Sequence, residues 1–233
     1  MTDGKSHSMP EESDGDSLHA PEVGTVVASD TREAQRLAAV AAGKKASIPV
    51  VQDLRRAGFD VVAIQDLYQK KWEYQTAIPI LLKWLPVVSD PLAKWQIVAA
   101  LRTRWAKPMA AAPLVREFRS DGSRKWEIAD VLCVVADASV LDDIVELVKD
   151  PASGDARQML TLCLGEIKDP RSVETVALLL HDEAVAGHAV IAAGKLKAVS
   201  LRPLIEPYLD DPRAWVRAEA RKSLARLDRS ARS

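Results

Sequence analysis

Apolar and polar positions along the chain follow one grammar from Ile78 to the C-terminus. Acidic turn segments recur: Asp90-Pro91, Asp121-Gly122, Asp150-Pro151, Asp182-Glu183 and Asp211-Pro212. Aligning them brings Trp95, Trp126, Arg157, His188 and Arg217 to one position, at spacings of 31, 31, 31 and 29 residues. Counted from that position, offset +3 (Val98, Ala129, Leu160, Ile191, Ala220) and offset +10 (Trp105, Ala136, Ile167, Ala198, Leu227) are apolar throughout. Offset +6 (Leu101, Leu132, Cys163, Gly194, Ser223) is apolar or small. At about 100° per residue these offsets lie on one helical stripe. Each turn is preceded by a shorter apolar helix pattern, as in Ile78–Leu85, Val140–Val148 and Val173–Leu180. A unit therefore predicts two helices joined by an Asp turn, because Asp caps a following helix and Pro is tolerated in its first turn. A period in this range marks a stack of repeated supersecondary units.

Upstream, Ile48–Leu54 and Phe59–Tyr68 read as one more, divergent helix pair, with Gly58 stopping the first helix. Thr31–Ala42 predicts a capping helix, interrupted at Gly43-Lys44-Lys45. Residues 1–30 are rich in Ser, Asp, Glu, Gly and Pro, and predict a disordered acidic tail. The expected organisation is a tail over 1–30, a capping helix and divergent pair over 31–75, and five repeats over 76–233. No segment alternates with period two between turn residues, so strands are not expected.

Charge changes this picture locally. The net charge is −1, yet residues 1–32 hold seven acids against two bases and residues 212–233 hold seven bases against two acids. Residues 94–125 carry eight bases (Lys94, Arg102, Arg104, Lys107, Arg116, Arg119, Arg124, Lys125) against Glu117 and Asp121. The domain-wide basicity of a dedicated nucleic-acid binder is missing. Cys133 and Cys163 lie in apolar helical contexts, in or beside the repeated core, where a thiol behaves as a small hydrophobe and neither a disulfide nor a metal role is expected. No apolar run approaches the roughly 18 residues of a membrane span and no secretory signal is visible, so a cytoplasmic protein without membrane contact is expected.

The segment Asp211-Pro212-Arg213-Ala214-Trp215-Val216-Arg217-Ala218-Glu219-Ala220 resembles the core of HEAT repeats, and Leu164-Gly165-Glu166-Ile167-Lys168-Asp169-Pro170-Arg171 resembles the exit of a phycobilisome-lyase-like repeat. The similarity covers about residues 46–228. It implies an all-α, right-handed α-solenoid of antiparallel helix pairs, a HEAT-like superhelix with second helices on a concave face that holds partners. In that family an arginine at the recurring position bonds the turn Asp across repeats, so the resemblance implies a structural ladder for Arg157 and Arg217. Trp95, Trp126 and His188 replace that arginine here.

Only 5% of residues are aromatic, yet six are Trp. Trp84 and Trp105 follow apolar periodicities and read as core. Trp72 and Tyr74 read as the junction between the divergent pair and the array, and Trp215 as part of the closing repeat. Trp95 and Trp126, one repeat apart and flanked by Lys94, Arg102, Arg124 and Lys125, are the candidate partner-binding surface, since aromatic and Arg side chains anchor interfaces. An acidic segment of a protein partner is the expected ligand, with the acidic tail as a competing occupant. Catalytic, metal and cofactor sites are not expected. His7 and His19 fall in the tail, and His181 and His188 flank a turn without metal-ligand spacing. Phosphate loops and a nucleophile elbow are absent. Two alternatives rest on resemblance. Trp126-Glu127-Ile128-Ala129-Asp130 resembles a segment of HEAT-type alkylpurine DNA glycosylases, which would make Asp130 the charge-stabilising acid and Trp126 the stacking residue. The repeat type also resembles bilin lyases.

Overall fold

The computed structural model describes residues 23–70, 73–120 and 124–232. Among them it is entirely helical, 76% helix with no strand, and its helices pack on their neighbours in sequence. In chain order they are α1 (Val23–Arg56), α2 (Asp66–Gln69), α3 (Ile78–Trp84), α4 (Pro91–Ala100), α5 (Ala111–Ser120), α6 (Lys125–Val135), α7 (Leu141–Lys149), α8 (Ala156–Ile167), α9 (Ser172–Leu179), α10 (Ala186–Leu196), α11 (Arg202–Ile205) and α12 (Ala214–Ala231). The described residues divide into two compact units, one up to Val40 and one from Ala41 onward.

In the larger unit, α3/α4, α5/α6, α7/α8, α9/α10 and α11/α12 are packed pairs, and α4, α6, α8, α10 and α12 contact one another in succession. The offset +6 residues Leu101, Leu132, Cys163, Gly194 and Ser223 are all fully buried. Close approach explains the two small residues at the end of that series. A Cβ on Gly194 would lie 2.7 Å from Ser223 Cβ and 2.8 Å from Ser223 Cα. Gly165 in α8 meets α10 in the same way, with a Cβ falling 2.8 Å from Ala192 Cα. Only residues without a side chain permit backbones this near.

The turns share one device. Asp90 Oδ1 accepts from the backbone N–H groups of Leu92 and Ala93 and caps α4 directly. Asp150, Asp182 and Asp211 accept from the N–H two residues on, at Ala152, Ala184 and Arg213. Asp137 and Asp169 do the same before the first helices, at Ser139 and Arg171. These Asx turns satisfy backbone donors that the ends of short helices leave without partners.

The N-terminal half departs from expectation. α1 runs without interruption through Gly43-Lys44-Lys45 and Pro49, and begins at Val23, inside the stretch assigned to the acidic tail. Gly43 is not a break but a contact point, where a Cβ would lie 2.8 Å from Leu92 Cδ2. Gly43, Ser47, Val50, Val51 and Leu54 form the buried stripe of α1. Residues 31–39 are exposed, and their helicity follows from propagation, which adds a hydrogen bond per residue once a nucleus exists. Residues 1–22, with the rest of the expected tail and its role as a competing occupant, lie outside the described residues, as do Trp72, Asp121 and Gly122.

The divergent pair is also smaller than predicted. Gly58, at φ +93°, ends α1 as expected, but the Phe59–Tyr68 helix contracts to the single turn of α2. The Asp66 carboxylate accepts from the Val62 and Ala63 N–H groups at 2.6 and 3.1 Å, holding those residues in a turn rather than a helix. Val61, Ile64 and Leu67 remain fully buried.

Candidate interaction surface

The two tryptophans at the recurring position differ. Trp95, in α4, is half-buried against the core, and the Arg124 guanidinium lies 6.0 Å from its ring centroid. Trp126, in the first turn of α6, is 48% exposed. Trp95 is therefore a packing residue, and the open indole of the pair belongs to Trp126.

Half of the eight bases of the patch are held in ion pairs, three of them with acids of a neighbouring repeat. Lys94 Nζ sits 2.5 Å from Glu117 Oε1, with both side chains largely buried. Arg102 holds Asp130 in a two-pronged arrangement at 2.7 and 3.1 Å, and that carboxylate raises the Arg102 pKa above its ordinary value. Arg119 bridges Asp143 and Glu146 at 2.8 Å each. Arg124 contacts Glu127 at 3.3 Å, and Lys125 donates to the Ala152 carbonyl at 3.0 Å. The six candidate partner-binding residues thus do not form one open cationic surface. Asp130, the acid of the glycosylase comparison, faces the Arg102 guanidinium.

Arg157 and Arg217 diverge too. Arg157 spans two units: its Nε donates to the Val148 carbonyl at 2.7 Å, and its Nη2 reaches Asp182 at 2.5 Å. That bond holds the Asp182 carboxyl below its ordinary pKa. Arg217 donates instead to the Asp211 and Pro212 carbonyls of its own turn, at 2.7 and 2.9 Å. The Asp211 carboxylate is taken by Arg213, whose Nε and Nη2 both stand at 2.9 Å. The implied cross-repeat bond is thus made by Arg157 and not by Arg217.

Trp84 and Trp105 occupy the margin of the core. The Trp84 indole N–H donates to Asp53 at 2.9 Å, and Trp105 stands edge-on to Tyr74 with centroids 5.4 Å apart. Both are half-buried rather than core, as expected of a large ring whose N–H needs a partner. Trp215 is 44% exposed and lies 5.3 Å from the His188 ring. Burial, with Arg213 nearby, lowers the His188 pKa.

Sequence reasoning missed the pairings across the repeat. Asp53 and Trp84 are 31 residues apart, the repeat period itself, and their bond ties the end of α1 to α3. Cys133 and Cys163, 30 residues apart, bring their sulfurs to 2.9 Å, and Cys133 also contacts the Met159 carbonyl at 3.0 Å. Both are free thiols, Cys163 buried and Cys133 partly exposed. Burial, then the neighbouring Cys133, push the Cys163 pKa well up. Their separation by one period was a readable signal of contact. Among the described residues no group of three or more His, Cys, Asp or Glu side chains is placed to hold a metal, and no helix is long and apolar enough to cross a membrane.

No protein-family model matches the chain, and no curated protein is similar to it in sequence.

Proposed function

We propose that the chain is a non-enzymatic scaffold of HEAT-repeat type, a right-handed α-solenoid that holds an acidic segment of a protein partner on the face formed by its second helices. The observation that carries this reading is the register of α4, α6, α8, α10 and α12. Each contacts the next, and each buries its offset +6 residue. Units joined in this way make one continuous surface from short helices, the property by which repeat arrays bind extended partners. Exposed Trp126 gives that surface an aromatic anchor. The divergent pair acts as its cap, and the protein works in the cytoplasm.

The test is capture of partners from the native host on immobilised wild type beside Trp126→Ala. The expected result is a partner retained by the wild type and lost by the variant, with melting temperature unchanged. Identical partner profiles would refute the assignment of Trp126. Release of alkylated bases from DNA, lost in Asp130→Asn, would overturn the scaffold reading itself in favour of a glycosylase.

A further inference from the structure

The ends of three successive second helices enclose a second feature that the Trp126 surface does not include. Beyond the last turns of α8 and α10 and along α12 lies a cavity of about 520 Å³ lined by Glu166, Lys168, Lys195, Lys197, Arg226 and Arg229. Its one acid, Glu166, is paired with Lys195. Lys168 and Lys197 are exposed, and neither makes an ion pair among the described residues. Arg226 lines the same cavity, and its buried Nη1 has no hydrogen-bond acceptor among the surrounding residues. The acids closest in sequence are occupied elsewhere: Asp169 by Arg171, Asp228 by Arg202 and Glu219 by Lys222.

The backbone adds an independent observation. Lys168 and Lys197 occupy the C-cap positions of α8 and α10 at φ 58° and 56°, and among the described residues they are the only non-glycine residues with positive φ. This left-handed position is normally filled by glycine, because a Cβ there is strained. Favourable interaction of a cation with the helix C-terminus does not require the strained residue itself to carry the charge, since any side chain in the last turn would serve. The same strained backbone recurs at two equivalent positions of adjacent units, both bearing lysine and both lining one cavity.

We infer that this cavity binds a carboxylate-rich peptide segment of the partner, a refinement that rests on the scaffold reading above. Packed helices stand about 8–10 Å apart, so the cations of α8, α10 and α12 form a row with that repeat. A peptide in the polyproline II conformation advances about 3.1 Å per residue with three residues per turn, so acids at every third position lie on one face and match the row. Arg226 and the lysines then supply charge-assisted hydrogen bonds to successive carboxylates. A long polyanion fits less well. Residues 126–211 carry sixteen acids against seven bases, net −9, so a nucleic acid extending beyond the cavity meets repulsion.

The experiment measures fluorescence polarisation of a short labelled peptide with Glu at every third position against the full chain. A Gln-substituted peptide, inorganic phosphate and a single-stranded oligonucleotide serve as competitors. Lys168→Gly/Lys197→Gly is the decisive variant, because glycine suits the left-handed backbone and keeps the fold. The expected result is saturable binding of the Glu peptide, weakened by about tenfold or more in this variant and unaffected by Arg104→Gln/Lys107→Gln. The Gln peptide and phosphate should compete poorly. Undiminished binding by the double-glycine variant, equal loss in the Arg104/Lys107 variant, tighter binding of the oligonucleotide or the absence of peptide binding would each overturn the site. Those failures leave the scaffold reading standing if Trp126-dependent partner capture persists, so the two claims fail separately.

Discussion

Replacing Gly194 by alanine sets two effects of opposite sign against each other. Alanine in a helix interior is favoured over glycine by about 0.8–1.0 kcal/mol, so in an isolated α10 the substitution would stabilise. In the packed array the new methyl group would stand 2.7 Å from Ser223 Cβ and 2.8 Å from Ser223 Cα, and would also press on Ser223 Oγ. Two of those atoms belong to the α12 backbone or its rigid first side-chain carbon, so the clash is relieved only by moving α12. Overpacking of this kind costs about 1–3 kcal/mol. With α12 held by Val216, Ala220, Leu224 and Leu227 in the core, the upper part of that range applies, leaving a net loss of about 2 kcal/mol once the helix preference is subtracted. For a unit of this size the melting temperature should fall by about 4–8 °C. Thermal unfolding followed by circular dichroism measures it. Gly194→Ala/Ser223→Gly should recover part of the loss, giving a coupling energy in a double-mutant cycle. A melting temperature that rises, or two effects that simply add, would refute the α10–α12 approach.

Three further outcomes follow from the same geometry. Lys94→Met should cost about 3–5 kcal/mol by leaving the Glu117 carboxylate buried and unpaired, and Lys94→Met/Glu117→Leu should recover most of it in urea titrations. Arg157→Met should lower stability at neutral pH by about 1–2 kcal/mol through loss of its bonds to Asp182 and Val148. Because Arg157 depresses the Asp182 pKa, the stabilisation is present above the ordinary carboxylate value and lost as pH falls through the folded one. The variant should accordingly show a shallower acid limb in a stability–pH profile. Trp95→Ala should destabilise by about 2 kcal/mol, whereas Trp126→Ala should stay within about 0.5 kcal/mol of wild type in the same melts.

The repeat was legible because burial leaves a mark at every period: offset +6 must be apolar or small wherever one second helix meets the next. The Asp turns were legible for a local reason, since each satisfies an N–H within two or three residues. Misreadings arose where the partner lies in another unit. Lys94 and Arg102 read as a surface patch because their acids, Glu117 and Asp130, stand 23 and 28 residues away. Gly43 read as a helix break because a glycine without its neighbour, Leu92, carries no sign of close approach. Arg157 and Arg217 share a sequence position, yet Arg157 reaches forward to Asp182 of the following turn, whereas Arg217 bonds carbonyls of its own turn beside an Asp211 carboxylate held by Arg213. The lysines of the α8 and α10 caps were hidden for a different reason: nothing in the sequence marks a lysine as the residue in the left-handed position.

The register of the second helices is tested most directly by the native cysteines. Cys133 and Cys163 meet at 2.9 Å only if α6 and α8 are stacked one repeat apart in the described register. Treating the folded protein with diamide, which takes up the two electrons and two protons released by the thiols, should close one intramolecular disulfide. Intact mass should fall by two hydrogens, and a proteolytic map should join the peptides containing Cys133 and Cys163. The helical circular dichroism spectrum should remain unchanged. Thiols that stay free in the folded protein even at alkaline pH, where the raised Cys163 thiol ionises more readily, and couple only after denaturation would contradict the stack.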